Sequence, residues 1–100
     1  MKIYCFDLDG TLCTNTEGKY LEAEPIFERI NQVNLLFNQG NQIIIFTARG
    51  TVTGIDWREV TLGQLAKWKV NYHELNLGKP FAHVYVDDRA SSDKDFFNGK

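Results

Sequence analysis

Short apolar runs alternate along the chain with stretches of helical period. Lys2 to Leu8 (KIYCFDL) is β-branched and aromatic enough for a buried strand and stops at an Asp-Gly turn. Thr11 to Glu24 is polar, carries Asn15 and Gly18, and has no sustained period, which predicts a loop or small flap. Pro25 suits a first helical position, and Ile26, Ile30, Val33 and Phe37 follow at helical spacing before Gly40 supplies a stop. Gln42 to Thr47 (QIIIFT) reads as a strand covered on both faces. After a loop from Ala48 to Asp56, Trp57 to Val70 repeats the helical pattern, with Asp56 or Thr53 as its cap. Tyr72 to Leu77 predicts a short strand and Ala82 to Val86 (AHVYV) a last one. The tail from Ala90 is polar except for Phe96 and Phe97.

The order β, α, β, α, β, β predicts an α/β fold, a three-layer Rossmann-like arrangement with a mostly parallel central sheet and helices on both faces. Ligands in such sheets bind at the carboxyl ends of the strands.

Composition narrows the classes. One hundred residues, 43% hydrophobic and 24% charged, match an ordinary soluble domain, a single one spanning residues 1–100. Eleven Lys and Arg against thirteen Asp and Glu give a net charge of −2 with no block of like charge, which argues against a nucleic-acid partner. The longest apolar runs, Ile3 to Phe6 and Ile43 to Phe46, are far short of a membrane span or a signal peptide. Cys5 and Cys13 match neither a CxxC pair nor a zinc set, so they are expected as reduced thiols in a cytoplasmic protein without a membrane partner.

The strand ends carry the chemistry. The first closes in Asp7-Leu8-Asp9-Gly10-Thr11-Leu12, the second in Thr47-Ala48-Arg49 and the last in Asp87-Asp88-Arg89, with Lys79 in Gly78-Lys79-Pro80 just before it. Carboxylates gathered on one sheet edge repel unless a hard cation holds them, and Mg²⁺, bound by few carboxylates plus a substrate phosphate, suits this sparse set. Of two neighbouring carboxylates, one can attack while the other moves a proton. The metal and an ammonium such as that of Lys79 would offset the repulsion between an attacking carboxylate and a phosphate.

These residues resemble the haloacid dehalogenase superfamily of phosphatases. Its DxDGT[LV] motif matches Asp7 to Leu12, its strand-closing Thr or Ser matches Thr47, its Lys matches Lys79, and its apolar strand ending in paired acids matches Val84 to Asp88. The resemblance implies that Asp7 attacks phosphorus to give an aspartyl-phosphate, that Asp9 protonates the leaving oxygen and then activates water, and that Thr47 and Lys79 hold the phosphoryl group. It also implies Mg²⁺ on Asp7, the backbone carbonyl of Asp9 and one of the Asp87–Asp88 pair, with Asp87 favoured. Ala48 and Arg49 would join Thr47 and Lys79 at the substrate. An Asp at position 9 favours a phosphatase over the dehalogenases and ion pumps of the superfamily. GKP and YVDDRA bring the chain closest to short capless phosphatases of bacterial capsule and surface-polysaccharide biosynthesis, which act on small phosphorylated metabolites such as sugars or polyols.

Plainer roles stand beside these. His73 and His83 are expected to be structural or solvent-facing, and Trp57, Trp68 and Phe37 to be core. Phe96 and Phe97 fit either a sheet edge or a contact between subunits. Arg89 and Arg58 suit surface ion pairs. Neither interval between the motifs has room for a cap, so the site is expected to be open in a monomer; the resemblance to capless enzymes, in which neighbouring subunits often close the pocket, implies a homo-oligomer. Two alternatives differ in class: a nucleic-acid 3′-end phosphatase, which shares the T-x-R and DDR arrangement, and a phosphate-binding module without turnover.

Overall fold

The computed structural model describes residues 1–98, and its sheet is parallel throughout. Strand β1 (Ile3–Asp7) leads through helix α1 (Phe27–Asn38) to strand β2 (Gln42–Phe46). Helix α2 (Arg58–Lys67) leads on to strand β3 (Glu74–Asn76), and helix α3 (Asp93–Phe97) ends the described chain. The strands lie in the order β1-β2-β3, with Tyr4 opposite Ile43, Phe6 opposite Ile45 and Ile45 opposite Leu75.

That register decides which face is dry. Tyr4, Phe6, Ile43, Ile45 and Leu75 share one face, which packs on Ile30 and Val33 of α1 and Leu65 of α2. The opposite face carries Ile3, Cys5, Asp7, Ile44 and Glu74; Ile3, Cys5 and Glu74 are exposed. Among the described residues no helix covers that face, so the expected second helical layer is not seen there. Two crossovers of the same hand, stepping in one direction from β1 to β3, put both helices on one side. Covering the other side requires a chain that steps back past β1. The expected strand Ala82 to Val86 would do that, but it is not a strand: residues 81–90 are exposed and irregular.

Helix boundaries shift for local reasons. Helix α1 starts at Phe27 rather than Pro25 because residues 24–26 pair with residues 12–14: Ile26 N–H donates to the Leu12 carbonyl at 2.9 Å and Thr14 N–H to the Glu24 carbonyl at 2.9 Å. It ends as expected, with Gly40 left-handed (φ 92°) and its N–H on the Phe37 carbonyl. Trp57 precedes α2, and the Asp56 carboxylate accepts from Arg58 N–H at 3.0 Å; Thr53 turns instead to Ile55 N–H. Lys69, with φ 59°, ends the helix before Val70.

The tail is structured. Ser92 caps α3 by accepting from Asp95 N–H, and Phe96 and Phe97 pack on the dry face of β1, with ring centroids 5.4 and 5.9 Å from that of Phe6. Positions 99–100 of the tail lie outside the described residues. Both cysteines are free, Cys5 exposed and Cys13 buried. Among the described residues no helix is long and apolar enough to cross a membrane.

Candidate active site

The loop after β1 is wound tightly by backbone bonds. The Leu8 carbonyl accepts from the N–H groups of Thr11, Leu12 and Cys13 at 3.1, 2.8 and 3.2 Å, and Gly10 turns with φ 84°, where a side chain would be strained. Asp7 is thus held on the uncovered face of the sheet, and Asp9 two residues on lies in the turn.

Lys79 comes to Asp7. Its N–H donates to the Thr47 carbonyl at 3.3 Å, its carbonyl accepts from Thr51 Oγ1 at 2.8 Å, and its Nζ lies 3.3 Å from Asp7 Oδ1. The ammonium also stands over the rings of Phe46 and Tyr85, 4.6 and 4.3 Å from their centroids. Burial pushes the Asp7 carboxyl above the usual carboxylate range, with Lys79 pulling it back. A half-buried carboxylate beside an ammonium is a competent nucleophile for a group that carries negative charge.

Thr47 and Arg49 come to Asp9. Thr47 Oγ1 donates to Asp9 Oδ2 at 3.5 Å and accepts from Arg49 N–H at 3.2 Å. Arg49 was expected at the substrate, but it is 2% exposed and its guanidinium is engaged within the protein. Nε and Nη2 donate to the two Asp9 oxygens, and Nη1 donates to Thr61 Oγ1 at 3.1 Å and Gln64 Oε1 at 2.6 Å. The ring of Tyr20 lies over the guanidinium, 4.7 Å away. Ala48 is half-buried, and its carbonyl accepts from Thr51 N–H in the turn that follows. Gln64 and Tyr20 belong to this network although no motif pointed to them. Cys13 is there as well, 3.4 Å from Asp9 Oδ1, its thiol pushed up to about 12 by burial.

Asp87 and Asp88 are not brought to this place. Both are exposed, and Asp87 Oδ1 accepts from Arg89 N–H in a local turn. Among the described residues no three His, Cys, Asp or Glu side chains stand where they could hold one metal ion. Asp7 is paired with Lys79, and the Asp87–Asp88 pair expected to complete a Mg²⁺ site with it is turned to solvent, so the expected ligand set is not gathered among the described residues. The histidines are structural or outward: His73 Nδ1 accepts from Ile43 N–H at 3.0 Å and its ring stacks on Phe37, whereas His83 is exposed. Trp68 is core, but Trp57 packs edge-on to Tyr20 beside the flap.

No protein-family model matches the chain, and a search of curated proteins gives no match. Solved structures do resemble it. The chain is 24% identical to one in the Pnkp1/Rnl/Hen1 complex, with a TM-score of 0.61 over 99% of this chain and 34% of that one. It is 21% identical to one in the Pnkp1/Rnl/Hen1 RNA repair complex, also at 0.61, over 97% of this chain and 30% of that one. It spans about a third of those proteins and shares their fold. A protein from Vibrio cholerae, whose crystal structure was solved as an MCSG target, is 31% identical, with a TM-score of 0.89 over 100% of this chain and 90% of that one. At that identity and coverage, the chain belongs to the same family as the Vibrio cholerae protein.

Proposed function

We propose that the chain is a phosphomonoester hydrolase of the haloacid dehalogenase type. The observation that carries this is the Asp7–Lys79 pair at the carboxyl end of β1, with Asp9 two residues away in the turn and Thr47 at the end of β2. An Asp7 oxygen attacks phosphorus as the bond to the leaving oxygen breaks, and Asp9 delivers the proton that the leaving alcohol needs. Water then attacks the aspartyl-phosphate, gives its proton to Asp9 and releases inorganic phosphate. The Asp9 carboxyl is 17% exposed, which leaves it open to solvent and to a leaving group. Lys79 offsets charge at the attacking carboxylate. No step is assigned to a cation, because its expected ligands are not gathered among the described residues.

The substrate class we propose is a small phosphorylated metabolite, a sugar or polyol phosphate of surface-polysaccharide biosynthesis, by the GKP and YVDDRA resemblance. The test is hydrolysis of an aryl phosphate, followed by a panel of phosphorylated sugars, polyols, amino alcohols and nucleotides. Asp7→Asn is expected to abolish turnover; unchanged hydrolysis by that variant overturns the mechanism.

A nucleic-acid 3′-end phosphatase is the second reading, supported by the fold shared with the RNA repair complex. The −2 net charge counts against it. Faster release of phosphate from a 3′-phosphorylated oligonucleotide than from any sugar phosphate would reverse the order.

A further inference from the structure

A segment of strand-like sequence and an open strand edge occur in the same molecule without meeting. Strand β1 pairs with β2 alone, so among the described residues the outer edge of Ile3–Asp7 has backbone groups with no partner. Phe81, Val84, Tyr85 and Val86 are 60, 74, 50 and 93% exposed. That is a run of β-branched and aromatic side chains left in water.

One register sets the two faces of the segment in line with those of the sheet. With Ala82 beside Lys2 and Tyr85 beside Cys5, Val84 and Val86 fall beside Tyr4 and Phe6 on the dry face. Tyr85 and Asp87 then fall beside Cys5 and Asp7 on the open face. A slip of one residue would drive the valines into water and the acid into the core.

A parallel addition to its own β1 is out of reach while Lys79 keeps its contacts. Lys79 is tied to Thr47 and Asp7 at the carboxyl end of the sheet. A parallel strand beginning at Ala82 must start at the opposite end, about 17 Å back along β1, and beyond β1 as seen from β2. The three residue steps from Lys79 to Ala82 span at most about 11 Å. Two clefts of about 290 Å³ lie elsewhere, one along Leu21, Val60 and Trp68 and one along Met1, Phe37 and His73, and neither touches Asp7.

We propose that two copies exchange this segment: Ala82 to Val86 of each adds to the free edge of β1 of the other and sets the Asp87–Asp88 pair beside the other's Asp7. Isologous exchange closes as a dimer, and each active site then contains acids from both copies. The Tyr85 ring leaves its own Lys79 as the segment extends. The carboxylates that one copy keeps apart are brought to one sheet edge in this way. The role given to the acids rests on the phosphatase reading above; the exchange itself does not.

Sedimentation equilibrium of the full chain is expected to give twice the monomer mass. Val84→Lys is expected to give a folded monomer, checked by circular dichroism. A monomeric wild type, or a Val84→Lys variant that stays dimeric, overturns the exchange. Asp7→Asn and Asp87→Asn, each inactive alone, are then unfolded together and refolded with Mg²⁺. Half of the dimers are mixed, and each mixed dimer has one intact site, so about a quarter of wild-type aryl-phosphate hydrolysis is expected to return. No recovery beside an active wild type overturns the exchange. An inactive wild type that dimerises through Val84 overturns the phosphatase reading and leaves the exchange standing.

Discussion

Arg49 grips Asp9 with two parallel bonds, Nε to Oδ2 and Nη2 to Oδ1, both 2.9 Å long, and the arginine side chain has no exposure to water. A guanidinium matches a carboxylate in this fork geometry, and an ammonium does not. The pair fixes which way the Asp9 carboxyl faces, and the remaining guanidinium donors fasten α2 to the same point through Thr61 and Gln64.

Breaking this pair from the arginine side leaves a partly buried carboxylate with little compensation. Arg49→Ala is expected to lose about 3–5 kcal/mol of stability by urea denaturation. Arg49→Lys, which keeps the charge but loses the fork, is expected to lose less stability and still lower turnover, because Asp9 is no longer oriented. Equal turnover in Arg49→Lys and wild type would separate Asp9 orientation from catalysis.

Gln64 extends the network to the flap. Its amide carbonyl accepts from Arg49 Nη1, and its Nε2 donates to the Tyr20 carbonyl at 2.7 Å, so one side chain ties α2, the arginine and the 3₁₀ turn Tyr20–Glu22 together. Gln64→Ala is expected to cost about 1–2 kcal/mol. Amide exchange at residues 20–23 should rise more than exchange in β2, which a global loss of stability would not produce.

Gly50 stands where no side chain fits. Its φ is 82°, and a Cβ placed there would run into the Ile55 backbone carbonyl. Gly50→Ala is therefore expected to displace the loop after Arg49 and to cost at least about 1 kcal/mol, whereas Gly54→Ala, at φ 77° but with open space around it, should cost less. Thermal unfolding of the two variants side by side checks the order.

The legible parts of the sequence were those whose information is local. QIIIF is a strand because its β-branched run is continuous, and the helix before it stops at Gly40 because a left-handed residue is needed there. Lys79 was named as the ammonium for an attacking carboxylate from its motif; it reaches Asp7 because it follows the carboxyl end of β3 by three residues, the strand expected after it being absent. Asp9 and Thr47 were placed by the strand ends that a parallel sheet brings to one edge, and they lie 3.5 Å apart. AHVYV carries the local signature of a strand equally well, yet lacks a partner. Strand formation depends on an edge within reach, and the short link from Lys79 is a property of the tertiary path. Arg49 misled for a related reason. A charged residue one step past a strand-closing Thr reads as substrate-facing, and its burial depends on Gln64 and Thr61 of α2, which no spacing ties to it. Phe96 and Phe97 fitted two places until α3 was seen to lay them on Tyr4 and Phe6.

That docking of α3 has a charge that reports on it. Arg29 Nη1 donates to Asp93 Oδ2 at 2.8 Å and to the Thr11 carbonyl at 3.1 Å, and the same guanidinium lies 5.0 Å from the centre of the Phe97 ring. The hydrogen bond from Arg29 holds the Asp93 carboxyl below the ordinary carboxylate range. A depressed folded-state value means the ion pair stabilises above the ordinary value of 3.8 and is lost as pH falls through the lower folded one. Asp93→Asn should thus be less stable than wild type at neutral pH, by about 0.2–1 kcal/mol given the partial exposure of both side chains. The two denaturation curves should converge once pH drops below the ordinary carboxylate range. Phe97→Ala, which removes the buried ring and leaves the charges, should lower stability at every pH without convergence. Parallel pH series of urea midpoints for the three proteins distinguish a tail held by its charge from one held by its aromatic contacts, and convergence in the Phe97→Ala series would contradict this assignment.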